Sequence, residues 1–126
     1  MKAAHICRYL LGFMFVVFGL NGFLHFIPMP PQPPGLAAVY MKVLSESHYM
    51  APVFLLQLIS GALLLANRYV PMALTLLGPI IVNILMFHIL MAPAGIAPGI
   101  VATLLWFVVF AHHRRAFGRI FGPEGD

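Results

Sequence analysis

Six polar side chains stand inside or beside long apolar stretches of this chain: Asn21, His25, His48, Gln57, Asn83 and His88. In apolar company, amide and imidazole groups can hydrogen-bond a small ligand, hold a metal, pass a proton or tie helices together. Asn21 and His25 are four apart, which puts them on one helix face. Asn83 and His88 are five apart, about 140° round an ideal helix, so they share a cavity only where the helix is distorted. Pro79 supplies a cause for a bend. The pattern points to a ligand-binding pocket lined by Asn21, His25, Gln57, Asn83 and His88, with His48, Pro28 and Pro30 at its mouth. For Gln57 and Asn83 the alternative is interhelical hydrogen bonding, worth about 0.6 kcal/mol each. A metal held by His25, His48 and His88 would have no acidic or thiolate ligand beside it, so no metal is assigned.

The elements that must position these groups are apolar runs. Of the 126 residues, 62% are hydrophobic and 8% charged, and mean hydropathy is +0.98. Soluble domains carry about 25% charged residues, so the composition is that of a membrane protein in a single domain. The expected fold is all-α, a membrane-spanning four-helix bundle. Its spans fall at about 7–27, 50–66, 71–91 and 96–111, followed by a tail over 112–126. The second and fourth are near the lower length limit for crossing. Met1–Arg8 resembles the n-region of a signal peptide. The apolar run behind it exceeds a 7–15-residue h-region and no A-x-A site follows, so it is expected to be retained.

Cations set the expected orientation. Four spans place Lys2, Arg8, Arg68, Arg114, Arg115 and Arg119 on one side and only Lys42 on the other. By the positive-inside rule both termini are cytoplasmic, in a membrane of the bacterial inner-membrane type. This puts the candidate pocket in the outer half of the bundle. Net charge is +4, but its distribution beside apolar runs suits a membrane surface rather than nucleic acid. Arg114, Arg115 and Arg119 are placed to anchor the tail to anionic headgroups. Cys7 is the one cysteine, which leaves no internal disulfide and no thiol relay within the chain.

The outer connection starts as a stiff proline-rich stretch after Pro28. It continues as an amphipathic helix over about 36–46, with Leu36, Val39, Tyr40, Val43 and Leu44 on one face. That helix is expected to lie on the outer interface or cap the bundle. Gly12, Gly19 and Gly22 on the first span, with Ser60 and Gly61 on the second, allow close helix approach.

Four segments carry a family resemblance: Arg8–Gly12 (RYLLG), Gly19–Pro31 (GLNGFLHFIPMPP), Ser60–Leu65 (SGALLL) and Pro79–His88 (PIIVNILMFH). In order and spacing the chain from Arg8 to about Phe121 resembles the DoxX-like membrane proteins. The resemblance implies a small four-helix membrane bundle. The functions it implies are those of subunits of quinone-linked sulfur or terminal-oxidase complexes, of oxidative-stress complexes, or of assembly chaperones. Many members look to carry a glutamate where this chain has Gln57. An amide cannot carry a proton as a carboxylate does, which weakens any proton-relay role.

Two functions follow. One is a non-catalytic membrane subunit or accessory protein, working with another membrane protein or as a homo-oligomer. The other is a membrane oxidoreductase subunit that binds a quinone or other small apolar molecule, with a lipid as a further possible ligand, in a cavity that Phe23, Phe26, Met86 and Phe87 help to line. A nucleophile, a catalytic triad and a phosphate-binding glycine loop are all missing from the sequence.

Overall fold

Apolar residues on every face leave these runs one way to satisfy their backbone out of water, which is the α-helix. In the computed structural model, which describes residues 2–28, 33–123 and 125, five α-helices form and no strand occurs among the described residues. They are α1 (Lys2–Leu24), α2 (Leu36–Glu46), α3 (Met50–Ala66), α4 (Val70–Leu90) and α5 (Ala97–His112). Two short 3-10 turns follow α4 and α5, Pro93–Gly95 and Arg114–Phe117. Pro71 and Pro98 occupy first-turn positions of α4 and α5, where a missing N–H does no harm.

Helices end here without glycine. α1, α2 and α3 are each followed by a residue in the left-handed region: His25 at φ 51°, His48 at φ 58° and Asn67 at φ 55°. After α3 the Asn67 amide donates to the Leu64 carbonyl at 3.2 Å and the Arg68 amide to that of Leu63 at 3.0 Å, a Schellman closure. α2 closes the same way, with Tyr49 N–H bonded to Leu44 and His48 N–H to Ser45. α1 ends in the simpler form, His25 N–H to the Asn21 carbonyl at 2.9 Å. The helix therefore stops at Leu24 rather than running to Ile27. The reason is local: His25 turns left-handed, and the Asn21 Oδ1 accepts the Ile27 amide at 2.8 Å just before Pro28.

α1 runs antiparallel along α3 and touches α5 on its other side, and α4 packs against both α3 and α5. The four long helices so form a closed ring of neighbours, while α2 lies outside it, bent 84° from α3. Leu11, Phe15, Leu64, Leu74, Leu77 and Val109 make a core at the end that carries the two chain termini. Toward the opposite end, none of residues 20–28, 33–36 and 82–96 is fully buried. α1 and α4 are long and apolar enough to cross a membrane, and α2 with α3 pass the same test only as a bent pair. These features mark a membrane protein.

Candidate functional site

Each candidate polar group has a definite place. Asn21, half-buried, spends its side-chain oxygen on the Ile27 amide. His25 and His48 are exposed, and their backbones are the turning points of α1 and α2. Pro28 is exposed, and Pro30 lies outside the described residues. Gln57 is 4% exposed, on the buried stripe of α3 that also holds Ser60, Gly61 and Leu64. Asn83 points away from the core, on the exposed side of α4 with Val82 and Met86. There its Nδ2 donates to the Pro79 carbonyl at 3.0 Å.

His88 lies beneath the Pro93–Gly95 turn. Its Nδ1 donates to the Ile84 carbonyl at 2.7 Å, and its Cδ2 edge lies 3.2 Å from where a Cβ on Gly95 would sit. Phe87 meets the His88 ring edge-on and stacks on Tyr40 of α2 at 5.5 Å, which ties α2 to the end of α4. With Nδ1 carrying the proton, neutral His88 offers only an acceptor at Nε2. Among the described residues no group of three or more His, Cys, Asp or Glu is arranged to hold a metal ion.

Asn83 and His88 belong to a wider habit. Thr75, Asn83, His88 and Thr103 each fold back on the carbonyl four residues earlier in their own helix, and His113, just past α5, bonds that of Val109. A polar side chain that faces a medium without hydrogen-bond partners is satisfied in this way at no cost in packing.

Two features lie beyond what the sequence singled out. The first is Arg8. Expected among the surface cations, it is 3% exposed, and one terminal nitrogen donates to the Leu64 carbonyl at the end of α3. Its guanidinium carbon sits 4.3 Å from the Tyr9 ring centroid, while Nε is buried without a partner among the described residues. The negative end of the α3 dipole favours a cation here, so Arg8 caps a neighbouring helix. A signal for this was present: Arg8 is in register with Leu11, Gly12, Phe15 and Gly19, all of them buried.

The second is a groove of about 570 Å³ between α4 and α5, running from Leu85 and Thr103 to Phe110 and Phe121. Its size falls in the range of small-molecule sites, roughly 300–1,000 Å³. The walls are almost wholly apolar because their two donors are turned away. Trp106 Nε1 donates to the Leu74 carbonyl at 2.9 Å, and Thr103 Oγ1 donates to Gly99 at 2.7 Å. What this groove can accept is a hydrocarbon chain or an apolar side chain.

At the end with the termini, His5 and His112 meet edge to face at 5.8 Å, and His113 lies beside His112. Compared with known proteins, the chain matches no family model, no curated protein and no solved structure.

Proposed function

We propose that this chain is a small multi-pass protein of the cytoplasmic membrane, similar to the DoxX-like bundles, acting as a non-catalytic subunit or accessory of a membrane assembly or as an oligomer. α1, α3, α4 and α5 cross the bilayer and α2 lies on its outer surface. The observation that carries this reading is the outward face of the ring. Mid-helix residues there are large, apolar and open, Phe13 at 64% and Leu104 at 62% exposed, and the polar residues among them are bonded to their own helices. Water would not tolerate so continuous an apolar surface on a monomer. α3 and α5 are 17 and 16 residues long, about 24–26 Å at the helical rise, so they cross with little tilt.

The 84° bend supports the place of α2. If α3 follows the membrane normal, α2 runs in the membrane plane. Its apolar Leu36, Val39 and Val43 are exposed, as an interfacial helix requires. With Arg8 buried, five exposed cations (Lys2, Arg68, Arg114, Arg115 and Arg119) remain at the end with the termini and Lys42 alone at the other. That asymmetry supports cytoplasmic termini. An accessory role draws support from how the polar groups are used. Arg8 bonds the backbone of the neighbouring α3, and Asn21, Asn83 and His88 bond backbone near them in sequence, which leaves little for substrate.

A quinone-binding subunit is the second reading, supported by the size of the α4–α5 groove. Its polar demand is poorly met, because the groove donors are spent and His88 in this tautomer accepts but does not donate to a quinone carbonyl. The test is alkaline extraction of native membranes, with reporter fusions after Gly35, after Asn67 and at the C-terminus, and native mass spectrometry of the detergent-solubilised protein. Retention in the membrane, outward signal only after Gly35, and a mass above that of the monomer are expected. Release at high pH would overturn the membrane assignment, and an outward C-terminus the orientation. A strict monomer without companion would overturn the accessory role.

A further inference from the structure

We infer that the α4–α5 groove and the arginine tail together form one binding site for an anionic phospholipid of the cytoplasmic leaflet, with an acyl chain in the groove and the headgroup on the arginines. The inference rests on the membrane placement proposed above.

The tail is what joins the two halves of the site. After α5 the chain coils through the Arg114–Phe117 turn. Phe117 is buried and lies 4.9 Å from the Phe110 ring. The amides of Ile120 and Phe121 both bond the Phe117 carbonyl, and this brings Phe121 within 6.4 Å of Phe110, where it lines the end of the groove. Arg119 sits inside that same turn, and the Gly118 amide bonds the Arg115 carbonyl. The side chains of Arg114, Arg115 and Arg119 are all exposed. The Phe121 end of the groove is therefore formed by the same short tail segment that carries three exposed arginines.

Dimensions fit the same occupant. From Gly78 to Leu85, and from Thr103 to Phe110, the groove follows seven residues of helix, about 10 Å at the helical rise. One leaflet of hydrocarbon is about 15 Å thick. A chain entering from the headgroup level at Phe121 would run along Phe110 and Trp106 toward the bilayer centre. Neither wall donor competes for it, since Trp106 and Thr103 are bonded to carbonyls. Guanidinium groups bind phosphate as planar forks, so charge selects the headgroup while the groove selects a hydrocarbon. A zwitterionic lipid fits the groove equally well but gains less from the cations.

Trp106 is the one tryptophan in the chain, and it lines the groove, so its fluorescence reports occupancy. The full chain is reconstituted in phosphatidylcholine vesicles doped with a small, equal fraction of brominated-chain phosphatidylglycerol or brominated-chain phosphatidylcholine. Vesicle flotation is scored alongside quenching. Brominated phosphatidylglycerol is expected to quench at on the order of tenfold lower mole fraction than brominated phosphatidylcholine. Replacing Arg114, Arg115 and Arg119 together by Gln should remove that preference and leave phosphatidylcholine quenching unchanged. Gly78→Leu, which fills the groove wall, should weaken quenching by both lipids.

Equal quenching by the two lipids, or a preference that survives the triple replacement, overturns the site. Quenching by neither lipid in protein that floats with the vesicles means that another polypeptide or a second copy covers the groove, and also overturns it. Protein that does not float overturns the membrane placement itself.

Discussion

The two halves of the ring are built on opposite terms. Between α1 and α3, backbone meets backbone: a Cβ on Gly12 would lie 2.9 Å from the Gly61 carbonyl, and one on Gly61 only 2.8 Å from that of Gly12. Gly19 is held as closely against the Phe54 carbonyl. Between α4 and α5 the helices stand apart over the groove. The same measure at Gly78 finds only the Trp106 ring, 3.8 Å away. In a bilayer there is little hydrophobic force between helices, so close packing of small residues does the joining. The α1–α3 pair is therefore the fixed half, and the α4–α5 pair is the half with room to bind.

The sharpest way to break this contrast is one substitution on each side. Gly61→Leu must force the two helices apart and is expected to cost on the order of 3 kcal/mol or more, read as thermal unfolding in detergent. Gly78→Leu projects into the groove, where its Cβ meets Trp106 at an ordinary contact distance, and should stay within about 1 kcal/mol of the parent. Equal losses would mean that the two interfaces do not differ as described.

Arg8 comes next. It is the one buried cation among the described residues and joins the start of α1 to the end of α3. Arg8→Ala removes both its packing and the bond to Leu64, with an expected loss of about 2 kcal/mol. Arg8→Met keeps the volume and also removes the unpartnered Nε, so it should lose clearly less. If Met is as harmful as Ala, the charge itself is what α3 needs.

How much of this was written in the sequence differs between the two halves. The stripe of Gly12, Gly19 and Gly61 was legible, because small residues at helical spacing have few other uses in an apolar run. The extents of α2, α3 and α4 were also legible, since proline opens α4 and polar residues close α2 and α3. Arg8 was not, because a cation at the edge of an apolar segment fits both headgroup contact and helix capping, and only its register with Leu11 and Phe15 distinguishes them. The groove was illegible for a deeper reason. Leu85, Trp106 and Phe110 look the same in sequence whether they fill a core or line a space. His25 and His48 were read for their imidazoles, whereas in the fold their backbones end helices, a place usually given to glycine. Whether the candidate residues form one pocket depends on side-chain partners that a spacing of four or five residues does not encode.

Smaller effects sharpen the picture of α4 and α5. Trp106 makes the one side-chain hydrogen bond seen between these helices, to the Leu74 carbonyl. Trp106→Phe keeps an aromatic ring against Phe110 and drops the donor, with an expected loss of about 1 kcal/mol. His48→Gly should go the other way. It relieves a left-handed residue at the α2–α3 bend and is expected to raise stability by about 0.5–1 kcal/mol, again by thermal unfolding. A gain there together with lost ligand or partner binding would show that the imidazole is kept for function at a cost in stability.

Asn83 gives the smallest expected change and the most direct test of its role. Its amide is exposed on α4 and bonded to Pro79, four residues back. A residue that only satisfies its own helix in this way contributes little, so Asn83→Leu should shift stability by no more than about 0.5 kcal/mol. The leucine meets acyl chains where the amide met its own backbone, and the α4–α5 groove is left untouched. A loss several times larger would mean that Asn83 bonds across to another polypeptide in the assembled protein. That result would identify the exposed side of α4, with Val82 and Met86, as the docking face of the accessory role.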